Sequence, residues 1–322
     1  MKILVLNLYQ NLNSRGGERF VSDLCEHLPS SMNTKILSST SAIRYQTNPK
    51  SILSKLFITK KRLLELLFTL QNLKNIIRYK PDIVIPLNGA WQALICRIYC
   101  SFSGARLIII GQSGPGWDDR WNLLMKPDVF VALTKTQLTW AKKSTLWLQQ
   151  FAVIPNGVDT SKFSPSGKTL KLKLPKPIIL CVGASSESKR VRETIQAVSK
   201  TKASFLLVGV GELDHETDAL GQTLLGPRFL HKNYPLEIMP AVYRSCDLFT
   251  LYSDSSEAFG IVYLEAMATG LGIVATDDSL RREIIADAGL FVKDFLDYSS
   301  QLKKALKIDW TAKALTQSAK FS

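Results

Sequence analysis

The chain has 322 residues, of which 46% are hydrophobic and 21% are charged, so it is long enough for two globular domains. Its five cysteines are odd in number and show no C-x-x-C spacing, which argues against a disulfide framework or a zinc site. A count of 41 Lys and Arg against 27 Asp and Glu gives a net charge of +14. This charge predicts attraction to an anionic surface such as membrane lipid, nucleic acid or an anionic glycan.

The first half of the chain alternates short apolar strands with helices. It predicts strands over 2–6, 82–87, 106–110 and 129–133, and helices over 17–28, over 91–101 and from the N-cap Thr134 to 143. Such strands are typical of a parallel sheet covered on both faces, so we expect a Rossmann-like domain. The first apolar run is too short for a signal peptide, and charges interrupt every window of about 18 residues. We therefore expect no transmembrane helix and a cytoplasmic location.

Residues 50–70 mix Lys and Arg with Leu, Ile and Phe, as a basic amphipathic helix does. Such a helix can lie on an anionic membrane, which predicts peripheral contact at the inner face of the cell membrane. The alternative is a core helix with a solvated basic edge. The pattern alone leaves both open.

The second half repeats the alternation of strands and helices. Strands are predicted over 178–182, 204–208, 248–252, 272–276 and 290–292, which indicates a second Rossmann-like domain. A turn signal at 155–157 and the Lys- and Pro-rich stretch 164–177, the most linker-like segment, mark the boundary region. We predict an N-terminal domain over 1–158, a C-terminal domain over 159–300 and a helical tail over 301–322.

Two carboxylates, Glu257 and Glu265, lie around the start of an almost wholly apolar helix. A carboxylate inside such a helix needs a polar partner, because an ionised group is costly to bury alone. Gly260 lets a ligand approach the N–H groups of the first helical turn, and these amides can hold an anion. The arrangement suits a phosphorylated, hydroxyl-rich ligand such as a nucleotide sugar.

This segment resembles the E-x7-E motif of the retaining glycosyltransferases of the GT-B fold, in particular family 4. Further segments resemble that family in order and spacing, at 154–159, 179–183 with Lys189, 206–212, 243–249 and 282–289. The first half of the chain resembles the family more weakly. The resemblance implies an α/β protein of two Rossmann-like domains facing across a cleft. In the family a C-terminal helix usually crosses back onto the first domain; here the sequence stops at Ser322, so we expect that helix to be missing or truncated.

The resemblance also implies roles for residues of the second domain. Lys189 would bind the donor diphosphate, Glu257 the hydroxyls of the donor hexose and Glu265 the ribose. Lys189 and Glu257 are the predicted catalytic residues. The full set of predicted donor-binding residues is Gly183, Lys189, Arg190, Glu257, Phe259, Gly260, Ile261, Val262 and Glu265. Ala184 occupies a place where relatives often carry Arg, so either Arg190 or Arg192 substitutes for it or donor affinity is reduced.

In the first domain the resemblance implies an acceptor site. Gly16 and Gly17 belong to a glycine-rich stretch, 14–19, that resembles the loop where donor phosphate and acceptor meet; an ordinary strand-to-helix turn explains the stretch equally well. Gln112 stands where many relatives carry a His. Its amide can hydrogen-bond a sugar hydroxyl but cannot move a proton, so we expect it only to position the substrate.

We therefore expect a retaining hexosyltransferase that uses a nucleotide diphosphate sugar and a glycan or lipid-linked acceptor. Three scattered histidines predict no metal site, and we expect no cofactor. Nucleic acid is not an expected partner, because no recognised motif accompanies the positive charge. Two alternatives stay open: a nucleotide-sugar epimerase on the same fold, and a degenerate, non-catalytic protein that binds glycan or membrane.

Overall fold

The computed structural model describes residues 1–10, 16–39, 59–255 and 257–322. They form two compact units, Met1–Pro155 and Asn156–Ser322. The division follows residue 155, whereas the sequence placed it after residue 158. The predicted tail over 301–322 lies inside the second unit.

The first unit is built on a six-stranded, all-parallel sheet in the order β2-β1-β3-β4-β5-β6. Its elements are β1 (Lys2–Leu6), α1 (Gly16–His27), β2 (Asn33–Leu37), α2 (Lys60–Gln71), α3 (Leu73–Tyr79), β3 (Ile83–Pro86), α4 (Ala90–Ser103), β4 (Arg106–Ile110), α5 (Trp117–Leu124), β5 (Val129–Ala132), α6 (Lys135–Ser144) and β6 (Gln150–Val153).

Both faces of this sheet are buried, as the apolar strands predicted. Successive residues of β1 point to opposite faces: Leu4 and Leu6 belong to one core cluster, and Ile3 and Val5 belong to another. The N-cap Thr134 accepts a hydrogen bond from Gln137 N at 3.0 Å, so the predicted start of α6 is confirmed.

The second unit is built on another six-stranded parallel sheet, in the order β12-β11-β10-β7-β8-β9. Its elements are β7 (Ile178–Val182), α7 (Val191–Ser199), β8 (Ser204–Val208), α8 (Asp214–Leu225), β9 (Phe229–His231), α9 (Met239–Arg244), β10 (Leu248–Leu251), α10 (Ile261–Ala268), β11 (Ile273–Thr276), α11 (Ser279–Ile285), β12 (Gly289–Val292), α12 (Phe295–Ala305) and α13 (Thr311–Ser318). The prediction of two Rossmann-like α/β domains is confirmed.

The stretch 164–177, predicted to be linker-like, is bound to the second unit. Leu170 N donates to Ser245 Oγ at 2.6 Å, and Arg244 Nε donates to Lys168 O at 2.9 Å. The expectation of a linker was wrong. Lys and Pro indicate that a segment is exposed to solvent, but they do not show whether its backbone is hydrogen-bonded, and here the backbone groups of Lys168 and Leu170 bond to residues at the end of α9.

The C-terminal helices also pack on the second unit. The indole of Trp310 lies so close to Gly272 that a Cβ there would be 2.2 Å from the ring. Gln317 Nε2 donates to Ile284 O at 2.8 Å, which ties α13 to α11. The ring of Phe321 meets that of Phe259 edge-on, with centroids 6.1 Å apart.

Candidate active site

The two loops that carry the predicted donor residues leave neighbouring strands of the second sheet. β7 pairs with β8 on one side and with β10 on the other, so the order of the strands reverses between β7 and β10. In open α/β sheets ligands bind beyond the carboxyl ends of the strands at such a reversal. The loop after β7 leads to Lys189, and the loop after β10 leads to Glu257.

Lys189 and Glu257 form an ion pair at this reversal, through Lys189 Nζ and Glu257 Oε2. Both side chains are mostly buried. The aliphatic part of Lys189 runs beside Gly183, since a Cβ there would lie 3.8 Å from Lys189 Cδ. The structure therefore brings three of the predicted site residues together. Their roles in binding a donor stay predictions.

The backbones of the two loops are also joined. Asp254 N donates to Ser188 O at 2.8 Å, which connects the loop before Glu257 to the residue before Lys189. Thr276 Oγ1, at the end of β11, donates to Ser253 O at 2.6 Å. These two hydrogen bonds thus connect the loops that carry the ion pair to each other and to the end of β11.

Arg281 is a residue of this site that the sequence reasoning missed. It is almost fully buried, donates to Ser253 Oγ at 2.6 Å and to Asp254 O at 2.7 Å through Nη2, and pairs with Asp278 through Nη1. A buried guanidinium is costly unless such partners surround it. Arg281 therefore holds the loop that leads to Glu257.

Gly260 is the residue before α10 and has a backbone that only glycine adopts readily. Its φ is +81°, and a Cβ at this position would lie 2.5 Å from the ring of Tyr263. Phe259 beside it is buried. Ile261 and Val262 open the helix and are partly buried. Their first-turn amides lack acceptors within the helix, which is the property expected of an anion site.

Glu265 is only 3% exposed and has the polar partner that its position required. Tyr243 OH donates to Glu265 Oε2 at 2.5 Å. This bond joins α9 to α10 and compensates in part for the burial of the carboxylate. Contact between Glu265 and a ribose stays a prediction.

Arg190 lies between the turn that carries Lys189 and the helix that follows. Lys189 belongs to a short 3-10 turn, Glu187–Lys189, and α7 begins at Val191. Arg190 has a left-handed backbone (φ +48°), and its Cζ lies 5.3 Å from the centre of the Tyr252 ring. This contact holds its guanidinium at the end of β10.

The predicted acceptor residues lie at the carboxyl edge of the first sheet. Gly16 and Gly17 open α1, and a Cβ at Gly17 would meet no described atom within 4 Å. The start of the stretch 14–19, Ser14 and Arg15, lies outside the described residues. Gln112 is half-buried in the turn after β4.

A buried polar network beside Gln112 was not predicted. Gln137 donates through Nε2 to Gly111 O at 2.6 Å and to Asp119 Oδ2 at 3.0 Å, and its Oε1 accepts from Leu133 N at 2.7 Å. It thereby connects the ends of β4 and β5. Burial, reinforced by the neighbouring Asp118 carboxylate, raises the pKa of Asp119 to about 7.

Charged side chains at the same edge are paired with one another. Arg62 forms salt bridges with the buried Glu65 at 2.9 Å and with Asp118 at 2.6 Å, and it donates to Asn88 O at 2.7 Å. Burial raises the pKa of Glu65, against the opposing effect of Arg62. The sequence placed Arg62 only within a basic helix and did not identify these partners.

Across residues 1–10, 16–39, 59–255 and 257–322, no group of three or more His, Cys, Asp or Glu side chains is arranged to hold a metal ion. Within the same ranges, no helix is both long and apolar enough to span a bilayer.

Comparison with known proteins bears on the second unit most directly. The family model for glycosyl transferases group 1 matches residues 166–320, which include both loops of the candidate site. The second unit therefore resembles this family over most of its length. The matched region, called the group 1 domain below, contains Lys189, Glu257, Glu265 and Arg281.

Two curated relatives of the chain are mannosyltransferases. Phosphatidyl-myo-inositol mannosyltransferase of Mycobacterium tuberculosis is 29% identical over 140 residues, which cover 42% of this chain and 37% of the relative. O-antigen chain mannosyltransferase B of Escherichia coli is 30% identical over 159 residues, which cover 44% and 42%. The chain thus matches less than half the length of these relatives.

Solved structures resemble the whole chain. Sucrose-phosphate synthase from Thermosynechococcus elongatus aligns over 99% of this chain and 93% of its own, with a TM-score of 0.78 and 18% identity. HepE of Anabaena, in complex with UDP-glucose, aligns over 98% and 95%, with a TM-score of 0.72 and 16% identity. These similarities show that the chain has the GT-B fold.

Proposed function

We propose that the chain transfers a hexose from a nucleotide diphosphate sugar to a glycan or lipid-linked acceptor, with retention of configuration and without a metal ion. The observation that carries this proposal is the Lys189–Glu257 ion pair at the strand-order reversal of the group 1 domain. A sugar diphosphate presents negative phosphates next to hydroxyl groups. A cation beside a carboxylate matches both features.

Lys189 can bind a phosphate of the donor while it keeps its ion pair with Glu257. An ammonium group has three N–H donors, so one can stay with the carboxylate while another binds a phosphate oxygen. The first-turn amides of α10, next to Gly260, add partial positive charge for the same diphosphate. Together these groups would stabilise the charge that develops on the leaving diphosphate, which is the task a metal ion performs elsewhere.

The proposed reaction is a substitution on one face of the sugar. The bond between the anomeric carbon and the diphosphate oxygen breaks while the acceptor oxygen bonds to the same face. The acceptor proton passes to the departing phosphate oxygen. Glu257 would hold the hexose hydroxyls, so its contribution is alignment of the reacting atoms.

The names of the relatives favour these substrate classes. One mannosyltransferase is named for phosphatidyl-myo-inositol and the other for the O-antigen chain, and the HepE structure contains UDP-glucose. The two mannosyltransferase names favour a lipid or glycan as acceptor, and the HepE complex favours a nucleotide sugar as donor.

Peripheral contact with an anionic membrane is part of the proposal, and α2 belongs to the segment that the sequence predicted for it. α2, which covers the end of the predicted amphipathic segment, buries Phe68 on one side and exposes Leu63, Leu67 and Leu70 on another. Residues 50–58 of that segment lie outside the described residues. The net charge of +14 supports attraction to an anionic surface.

A thermal-shift screen with UDP-, GDP- and ADP-sugars tests donor binding. We expect one family of donors to stabilise the wild-type protein, and Lys189→Ala to remove that stabilisation. Lys176→Ala is the matched control, because Lys176 also pairs with a carboxylate of the group 1 domain, Asp247 at 2.8 Å, at the opposite edge of the sheet. A wild-type protein that no nucleotide sugar stabilises would overturn the proposal.

The binding donor then allows the chemistry to be tested. Transfer to lipid and polysaccharide fractions, with the anomeric configuration of the product read by NMR, should show retention and should persist in EDTA. Incubation with the donor alone tests the epimerase alternative. A new epimer formed without acceptor would replace the transferase proposal.

A further inference from the structure

One surface of the first unit lies away from the predicted acceptor residues. Because parallel strands all begin at the same edge of a sheet, the segments before β3, β4, β5 and β6 come together at that edge. These segments are 80–82, 103–105, 124–128 and 146–149. We call this surface the amino pole. Ligands of α/β sheets normally bind at the opposite, carboxyl edge. The topology of the sheet therefore predicts no ligand site at the amino pole.

The amino pole contains a large cavity with mixed walls. Its volume is about 1050 Å³, and its lining includes Arg97, Arg106, Lys126, Leu124 and Trp147. A second cavity of about 750 Å³ shares Arg106 with the first. Cations and large apolar side chains therefore line the same space.

The walls of this cavity carry an excess of positive charge. Among the described residues, Asp128 is the only acidic one that lines it, and Asp128 Oδ2 already accepts from Leu107 N at 2.7 Å and from Arg97 Nη1 at 3.3 Å. Arg106 and Lys126 form no salt bridge with another residue of the described ranges. Two cations consequently remain available to an anion.

A buried amide at the same cavity also lacks a protein partner. Gln149 lines the cavity, and both its Nε2 and its Oε1 are shielded from solvent without a hydrogen-bond partner among the described residues. An unsatisfied buried amide costs free energy, so it marks a place where a polar ligand group would be favourable.

The loop between α6 and β6 adds an exposed apolar tip beside these cations. Leu146 is 76% exposed and Leu148 is 101% exposed, and Phe102 at the end of α4 is 89% exposed. Trp147 lies between the two leucines, with Lys126 Nζ 5.4 Å from the centre of its ring. Segments that enter a membrane interface typically combine leucine and tryptophan with nearby lysine.

We propose that the amino pole docks on a bilayer that contains anionic phospholipid. Arg106 and Lys126 bind headgroup phosphates, while the tip 146–148 enters the boundary of the acyl chains. Nucleic acid would match the cations but would leave the exposed leucines in water. This inference shares one element with the proposed function, namely that the protein binds an anionic membrane. What it adds is the location: the contact is made by the amino pole and not by α2.

Vesicle flotation of the full chain tests the location. With vesicles of equimolar phosphatidylcholine and phosphatidylglycerol, the triple variant Leu146→Ser, Trp147→Ser, Leu148→Ser should lose binding by about tenfold or more. The double variant Arg106→Ala, Lys126→Ala should lose the preference over pure phosphatidylcholine. The matched control replaces the three exposed leucines of α2, Leu63→Ser, Leu67→Ser and Leu70→Ser, and should bind like the wild type.

A second measurement does not depend on the stability of these variants. Vesicles with brominated acyl chains should quench part of the tryptophan fluorescence of the wild type. The variant Trp147→Phe should lack this quenched part. Equal quenching in both proteins, or loss of binding in the α2 variant alone, would overturn the location. A wild type that binds no vesicle would overturn membrane docking altogether. Donor binding and sugar transfer are measured separately, so either result leaves the proposed transferase to its own test.

Discussion

The carboxyl edges of the two sheets share a topology but differ in chemistry. The edge of the group 1 domain joins Lys189 to Glu257 and supports the loop between them with the buried Arg281. At the edge of the first unit, the half-buried Gln112 lies beside Gln137, whose amide groups are bonded within the protein, and Arg62 is paired with Glu65 and Asp118. An ammonium that keeps N–H donors beyond the one given to Glu257 suits a diphosphate, whereas a neutral amide such as Gln112 suits a hydroxyl group. The difference between the units therefore resides in side chains at matched strand ends, since a fold alone does not specify function.

The largest expected effect is on sugar transfer, and it differs between a variant at the carboxyl edge of the second sheet and one at the carboxyl edge of the first. Glu257→Gln should lower kcat/KM for sugar transfer by about a thousandfold, because the amide cannot hold both the hexose hydroxyls and the Lys189 ammonium as a carboxylate does. Gln112→Ala should cost only about tenfold, since that amide positions the substrate with a neutral hydrogen bond. Steady-state kinetics with the donor found by the screen checks both. Equal losses in the two variants would remove the distinction between the edges.

Arg281 tests whether the charged edge depends on a buried support. Arg281→Met should destabilise the group 1 domain by about 3–5 kcal/mol, because it leaves Asp278 and the oxygens of the loop without their donor. Arg282→Met is the control: Arg282 is largely exposed and pairs with Asp277, so its loss should leave the stability close to that of the wild type. Thermal unfolding gives the stability. In Arg281→Lys, if folded, kcat should fall more than donor affinity. A fully active Arg281→Lys would show that the guanidinium does not position the loop.

Two glycines, one in each unit, allow a matched test of backbone constraint. Gly260→Ala should cost about 2–4 kcal/mol, because it combines a left-handed backbone with a Cβ 2.5 Å from the ring of Tyr263. Gly17→Ala should be neutral or slightly stabilising, since the added methyl meets open space in the first turn of α1. Melting temperatures measure both. A tolerated alanine at 260 would contradict the geometry described for the start of α10.

The smallest effect is confined to a range of pH. The pKa of Asp119 is raised from 3.8 to about 7, so the folded protein holds this proton more tightly than the unfolded chain does. Stability is therefore full below about pH 4 and falls as the pH rises to about 7, by a few kcal/mol at most. Asp119→Asn should remove this decline. Melting temperatures of both proteins at about pH 5 and about pH 8 test the claim. A decline of equal size in the variant would assign it to other groups.

The strands that the sequence predicted and those it missed differ in their place in the sheets. The strands over 2–6, 106–110, 178–182 and 204–208 were predicted with their observed bounds, and all four are interior. The strands that were missed, β2, β6 and β9, are all edge strands. An interior strand is buried on both faces and reads as a continuous apolar run. An edge strand such as Asn33–Leu37 is more exposed and carries polar residues, so its pattern is weak.

The candidate site was predicted only in part, because some of its residues stand out in the local sequence and others do not. The acidic residues around α10 stood out because a carboxylate is rare in an apolar helix. Arg281 did not stand out beside Arg282, although helical phase separates them: Leu280 and Arg281 lie one turn before Ile284 and Ile285 on the buried face of α11. That phase was the available signal. Gln137 of α6 bonds to Gly111, after β4, and to Asp119 of α5, which are 26 and 18 residues away along the chain, and no local pattern reports such contacts.

The sequence by itself determined the two α/β units, their interior strands and the residue types at the predicted donor site, because apolar periodicity and buried carboxylates are local properties of the chain. Only the tertiary structure decided that Lys189 meets Glu257, that Arg281 supports their loop and that cations and leucines gather at the amino pole. These residues are far apart along the chain. Their proximity follows from strand order and parallel register, which are set by the packing of the whole sheet.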